Sequence, residues 1–192
     1  MAPLTRSTRL LIGGLVIVAA LAAWFFLRSG SSDRVAIDLM AQFPTAKVKN
    51  PSPEVFEKVD ATLAGRRYPA IFAKQPSRLG WSITVPDDAW LKVQLGLKEE
   101  AWTVQGDGVY FMVGVSAGGR FDQVYTLVVN PYGNPSDKAW KEIIVDLSPY
   151  AGQTVDLFFN TRASPAPAPG TPQANDTNGD LALWGAPQII IK

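Results

Sequence analysis

The sequence predicts an all-β domain, an antiparallel jelly-roll β-sandwich of about ten strands, preceded by one N-terminal transmembrane α-helix. Three observations predict it. Residues 10–27 are apolar and carry no charge, whereas from residue 35 onward apolar and polar residues alternate in short runs. Gly, Pro, Asn and Asp punctuate those runs, and no amphipathic helix of useful length interrupts them.

The apolar stretch comes first. LLIGGLVIVAALAAWFFL is 18 residues long, and at a rise of about 1.5 Å per residue it spans roughly 27 Å, close to the hydrocarbon thickness of a bilayer. Ala19, Ala20, Ala22 and Ala23 mimic a signal-peptidase site. The run nevertheless continues apolar through Trp24, Phe25, Phe26 and Leu27, where a cleaved signal turns polar. An uncleaved anchor is therefore expected, with its aromatic end at the outer interface. Arg6 and Arg9 precede it, and the charge balance favours a cytoplasmic leader over residues 1–9. Gly13 and Gly14 offer a small-residue face against which another membrane helix can pack. Residues 28–34, RSGSSDR, read as a flexible linker to an extracytoplasmic domain over residues 35–192. The expected location is the cell (inner) membrane, crossed once.

Strands are expected at 35–39, 55–63, 68–72, 79–85, 90–97, 109–116, 124–129, 141–147, 154–160 and 188–191. Period-two alternation assigns faces. Trp81, Ile83 and Val85 share one, as do Leu91, Val93, Leu95 and Leu97. Ile143, Val145 and Leu147 form a third set, and Val155, Leu157 and Phe159 a fourth. These sets are the expected core between two sheets. Residues 109–115 are apolar on both faces, which predicts a central strand covered on both sides. In the segment after Trp140, Asp146 and Ser148 can bond the backbone just ahead of them. Pro149 there fixes a turn and Gly152 permits a left-handed conformation.

That segment, WKEIIVDLSPYAGQTVDLFF from Trp140, resembles the galactose-binding-like β-sandwich superfamily, to which carbohydrate-binding modules belong. There a strand, a D-L-S-x-Y-x-G turn and a second strand recur as a hairpin. GDGVYF at 106–111 and DLALWGAPQI from Asp180 resemble it as well. The resemblance covers residues 79–192. It implies the fold, and it implies no single function, because the superfamily includes sugar binders, adhesion modules and structural domains.

Composition excludes several chemistries. The chain has no histidine and no cysteine, which removes the commonest general base, the commonest transition-metal ligand and all thiolate chemistry. From Val35 onward, 14 Lys and Arg face 16 Asp and Glu with no basic block; nucleic-acid binding is not expected. The pairs Asp87/Asp88 and Glu99/Glu100 lie in turns and read as solvated charges, not as a glycosidase dyad.

Two candidate sites remain. Asp176, Asn178 and Asp180 are spaced i, i+2, i+4 like the start of a calcium loop, with Asp107 a further ligand if its loop lies nearby. The glycine at the sixth position and the glutamate at the twelfth are missing, so the competing reading is an Asn/Asp surface turn. Trp90, Trp102, Tyr132 and Trp140 could stack on a sugar or meet a partner, and each also reads as a rim or packing residue. The Pro-rich stretch 163–174 cannot pair into a sheet and is expected to be extended or irregular.

The leading expectation is a non-catalytic accessory subunit, held in the lipid bilayer and bracing the extracytoplasmic subunits of a larger bacterial membrane complex. In layout alone it resembles the peripheral single-helix subunits of bacterial electron-transfer assemblies such as alternative complex III. The alternative is an envelope-anchored carbohydrate-binding module. No cofactor is expected beyond the possible calcium.

Overall fold

Alternation of buried and exposed residues carries straight into the three-dimensional structure, a computed structural model that describes residues 33–74, 76–163 and 177–192. Among the described residues eleven strands follow one another. They are β1 (Arg34–Asp38), β2 (Val48–Asn50), β3 (Phe56–Leu63), β4 (Arg66–Ala73), β5 (Ser77–Thr84) and β6 (Ala89–Leu97). Then come β7 (Val109–Ala117), β8 (Arg120–Val129), β9 (Lys141–Asp146), β10 (Thr154–Ala163) and β11 (Ala182–Ile191). They form two antiparallel sheets. One has six strands in the order β3-β4-β11-β6-β9, with β1 also paired to β11; the other has five in the order β2-β5-β10-β7-β8.

Residues 10–27, with Gly13 and Gly14, lie outside the described residues, as does most of the Pro-rich stretch. Among the described residues no helix is long and apolar enough to cross a membrane.

All four expected face sets are buried. Leu79, Trp81 and Ile83 of β5, with Leu157 and Phe159 of β10, project inward from the five-stranded sheet. Leu91, Val93, Leu95 and Leu97 of β6 and Ile143 and Val145 of β9 meet them from the six-stranded sheet. Burial of such side chains stabilises by roughly 1.5–3 kcal/mol each before conformational entropy is counted. The expected turn after β9 forms as its residues dictate. Asp146 Oδ1 accepts from Ser148 N at 2.8 Å, and Gly152 has φ 72°.

Two expectations need correction. β11 begins at Ala182, not at residue 188, because a bulge lets the strand pass Ala186 (φ 41°) and Pro187. On one edge β11 pairs first with β4 through Ala182–Gly185 and then with β1 through Gln188–Ile191. The second apolar face of β7 is also not fully covered. Tyr110 and Met112 are only half-buried and line a cleft on the outer face of the five-stranded sheet.

A second, smaller cluster lies apart from the main core. Leu63, Ala70, Phe72, Trp140 and Leu183 pack together on the outer face of the six-stranded sheet. Gly96 and Gly185 make room for it. A Cβ on Gly185 would sit 2.9 Å from the Trp140 ring, and one on Gly96 3.3 Å from it.

Candidate functional site

The sequence-derived aromatic candidates do not converge. Trp140 is 8% exposed, donates its indole N–H to Arg66 O at 2.9 Å and meets Tyr68 edge-on at 5.5 Å. It is a packing residue with no open ring face. Trp102 packs against the same cluster and donates to Leu97 O at 3.1 Å. Trp90 is half-buried in β6, opposite Asp146 of β9 and Ile190 of β11. Tyr132, 49% exposed, stands in the turn between β8 and β9.

The calcium candidates divide as well. Asp176 lies outside the described residues. Asn178 and Gly179 form a tight turn, with Gly179 at φ 73° and Leu181 N donating to Gly179 O at 2.7 Å. Asp180 is 5% exposed. The Asp107 loop does lie nearby, since a Cβ on Gly106 would come within 2.5 Å of Asn178 O. Among the described residues no three Asp or Glu side chains gather closely enough to hold a metal.

The residues that do gather were not singled out from the sequence. They project from the outer face of the five-stranded sheet, where β5, β10 and β7 run side by side. Register places Asn160 of β10 opposite Arg78 of β5 and Met112 of β7. Two residues along, Phe158 lies between Gly80 and Gly114; two residues the other way, Arg162 faces Tyr110. The two glycines are the local cause of the site's shape. With no Cβ on Gly80, the Phe158 ring comes within 2.7 Å of where a Cβ would stand. Phe121 of β8 does the same over Gly114. Glycine inside a strand often marks such a close approach.

The two phenyl rings are 6.2 Å apart, and Phe121 remains 45% exposed. Arg78 is fixed beside them. Its guanidinium carbon lies 5.3 Å from the Phe158 centroid and 5.9 Å from that of Phe121, within cation–π range. Its Nε donates to Asn160 Oδ1 at 2.6 Å. Arg162 lies over the Tyr110 ring at 4.3 Å. Between the arginines runs a cleft of about 310 Å³, at the lower end of the range for small-molecule sites. Its lining joins the half-buried Tyr110 and Met112 to the polar side chains of Arg78, Asn160 and Arg162, and the exposed Phe121 ring stands close to the Arg78 guanidinium that borders it.

A larger cleft, about 530 Å³, lies on the other sheet between β3 and the turn after β6. Asp60, Lys98, Glu99 and Glu100 line it together with aliphatic residues, and no aromatic ring does.

No protein-family model matches the chain. An uncharacterized protein of Archaeoglobus fulgidus is 35% identical over 108 residues, which is 56% of this chain. The chain spans only a quarter of that relative's length. Among solved structures, the CBM51 module of Clostridium perfringens GH95, determined in complex with methyl-galactose, superposes with a TM-score of 0.50. It is 15% identical, over 80% of this chain and 98% of that one. The CBM6 module of Cellvibrio mixtus lichenase 5A, in complex with cellotriose, gives a TM-score of 0.42 at 11% identity, over 78% of this chain and 94% of that one. The likeness to the Clostridium module shows the fold, a β-sandwich of two antiparallel sheets.

Proposed function

We propose that the sandwich is a non-catalytic carbohydrate-binding module of the cell envelope, taking its ligand on the outer face of the five-stranded sheet. The observation that carries this reading is the exposed Phe121 ring, laid over Gly114 beside Phe158 and bordered by the donors of Arg78 and Asn160. Sugars present an apolar ring face and a rim of hydroxyls, and a site for them needs an aromatic surface with fixed polar groups at its edge. The frequent passage of the chain between the two sheets supports a jelly-roll connectivity. A sequence without His or Cys supports a binding role over catalysis.

A glycan array probed with the full chain in mild detergent tests the reading. A specific hit is expected, weakened about tenfold or more by Phe121→Ala while the circular dichroism spectrum stays unchanged. An array without a hit, or a hit indifferent to Phe121→Ala, rejects it.

A second reading follows from the uninterrupted apolar segment with Gly13 and Gly14. In it the chain is an accessory subunit whose N-terminal helix packs in the membrane and whose sandwich lies outside the cytoplasm. Co-purification of partner subunits, reduced when Gly13 and Gly14 are both replaced by Leu, supports it; a chain that always purifies alone does not. Protease added to intact spheroplasts should digest the sandwich, and full protection would reverse the proposed topology.

A further inference from the structure

Electrostatically, the cleft between Arg78 and Arg162 differs from the surface ion pairs, in which Arg67 meets Asp60 at 2.8 Å, Arg120 meets Asp122 at 2.8 Å and Lys141 meets Asp137 at 3.0 Å. In the cleft two guanidiniums, those of Arg78 and Arg162, share a wall with no Asp or Glu. Among the described residues their contacts are the Asn160 amide oxygen and three aromatic rings. Asn160 adds a second anomaly. The residue is 7% exposed, its oxygen is held by Arg78, and its amide nitrogen is buried with no hydrogen-bond partner among the described residues. A buried amide left without a partner is destabilising, so an acceptor arriving from the cleft would be favoured there.

We infer that this cleft binds the carboxylate of an acidic sugar residue, with Arg78 and Arg162 as counter-charges and Asn160 Nδ2 as the neutral donor between them. The inference rests on the carbohydrate-binding reading and names the substrate class within it. Arg78 stands directly across from Asn160, and Arg162 is Arg78's diagonal neighbour across the pair. Such diagonal positions sit roughly 7–8 Å apart in antiparallel sheets, a span that two long side chains close around a single carboxylate. A guanidinium presents paired donors in a plane that matches a carboxylate, and its contact with a ring limits the entropy lost on binding. Two arginines share one cleft in a domain with a slight excess of acids, which suits a compact anionic group better than an extended polyanion.

Isothermal titration of the full chain in mild detergent tests this with trigalacturonate, the uncharged galactose trisaccharide of the same linkage, and sodium phosphate. Trigalacturonate should bind at least tenfold more tightly than the neutral trisaccharide and weaken as salt rises. Arg162→Gln should weaken trigalacturonate about tenfold or more and weaken the neutral sugar much less, so that the preference for the acidic sugar falls. Asn160→Asp, which places a negative charge at nearly constant shape, should weaken it at least as much. The Arg162 side chain is exposed, its contact among the described residues being the Tyr110 ring, so its variant keeps the test open even if Asn160→Asp fails to fold. Equal affinity for acidic and neutral sugars, with both lost in Phe121→Ala, would overturn the acidic inference and leave carbohydrate binding standing. Phosphate competing as well as trigalacturonate at equal concentration would reduce the cleft to a general anion site and also overturn it. If neither sugar bound, both readings would fall.

Discussion

Trp184 of β11 lies stacked on Phe159 of β10, ring centroids 4.4 Å apart and planes 18° apart, at the centre of the space between the two sheets. Phe111 meets Trp184 edge-on at 5.0 Å, and Trp81 meets Phe159 edge-on at 5.1 Å. Four rings, three from one sheet and one from the other, thus tie the layers together. Each is at most 2% exposed.

Trp184→Ala should therefore be among the most damaging single substitutions. It removes a large fully buried side chain and leaves a cavity that two rigid sheets cannot close. The expected loss is about 3–5 kcal/mol, a fall in Tm of roughly 10 °C or more. Thermal or urea unfolding followed by circular dichroism measures it, and a change below about 1 kcal/mol would mean that the stack does not bear on stability.

Trp140 and Phe121 should respond in opposite ways. Trp140 fills the notch over Gly96 and Gly185 and donates to Arg66 O, so Trp140→Ala should cost about 3 kcal/mol of stability and leave the affinity of the folded protein unchanged. Phe121 is 45% exposed, and its truncation should leave stability within about 1 kcal/mol while removing sugar binding. Paired melting curves and titrations on the two variants separate the roles. A Trp140→Ala protein that folds fully but no longer binds would return Trp140 to the ligand site.

That contrast shows what could be read from the sequence. The core sets were legible because period-two alternation in β5, β6, β9 and β10 coincides with burial. β2, at three residues, is too short to show a period. The first half of β11 was hidden because Gly185 and Pro187 read as breakers, whereas a bulge absorbs them. The cleft was missed for a related reason. β8 starts at Arg120, so Phe121 belongs to the strand, whose expected start was residue 124. Register between β5, β10 and β7, which no local pattern carries, then assembles the site. Gly80 and Gly114, each inside an apolar strand, were the one local signal that something lay close against that face.

Calcium at the Asp180 turn is tested by chelation. The sequence proposed Asp176, Asn178 and Asp180, with Asp107 if its loop lay nearby, and the close approach of Gly106 to Asn178 brings that loop there. With a tight turn at 178–179 and no triad of acids among the described residues, EDTA should leave the Tm unchanged. A resident ion present at 100 times its Kd would contribute about 2.7 kcal/mol. A fall of several degrees on chelation, restored by calcium and absent in Asp180→Asn, would establish the site.

The last prediction concerns alkaline pH. Tyr150 donates its hydroxyl to Asp122 Oδ2 at 3.1 Å, and Asp122 also holds Arg120 at 2.8 Å. Partial burial raises the Tyr150 pKa above its ordinary value of 10.0; the hydrogen bond and the negative charge of Asp122 add to the rise, and Arg120 opposes it. All the raising causes favour the protonated phenol in the folded chain. In the unfolded chain the phenol ionises near its ordinary value, so folding holds a proton that the unfolded state releases first. The contribution is complete below pH 10 and is lost as pH rises through the higher folded value. Tyr150→Phe keeps the ring and removes the ionisation. The variant should lose a small amount of stability at neutral pH, with the hydrogen bond, and the difference from wild type should shrink as pH climbs above 10. Unfolding free energies measured at pH 8 and at several values above 10 decide it. A difference that stays constant or grows across that window would mean that the Tyr150 hydroxyl does not titrate against Asp122.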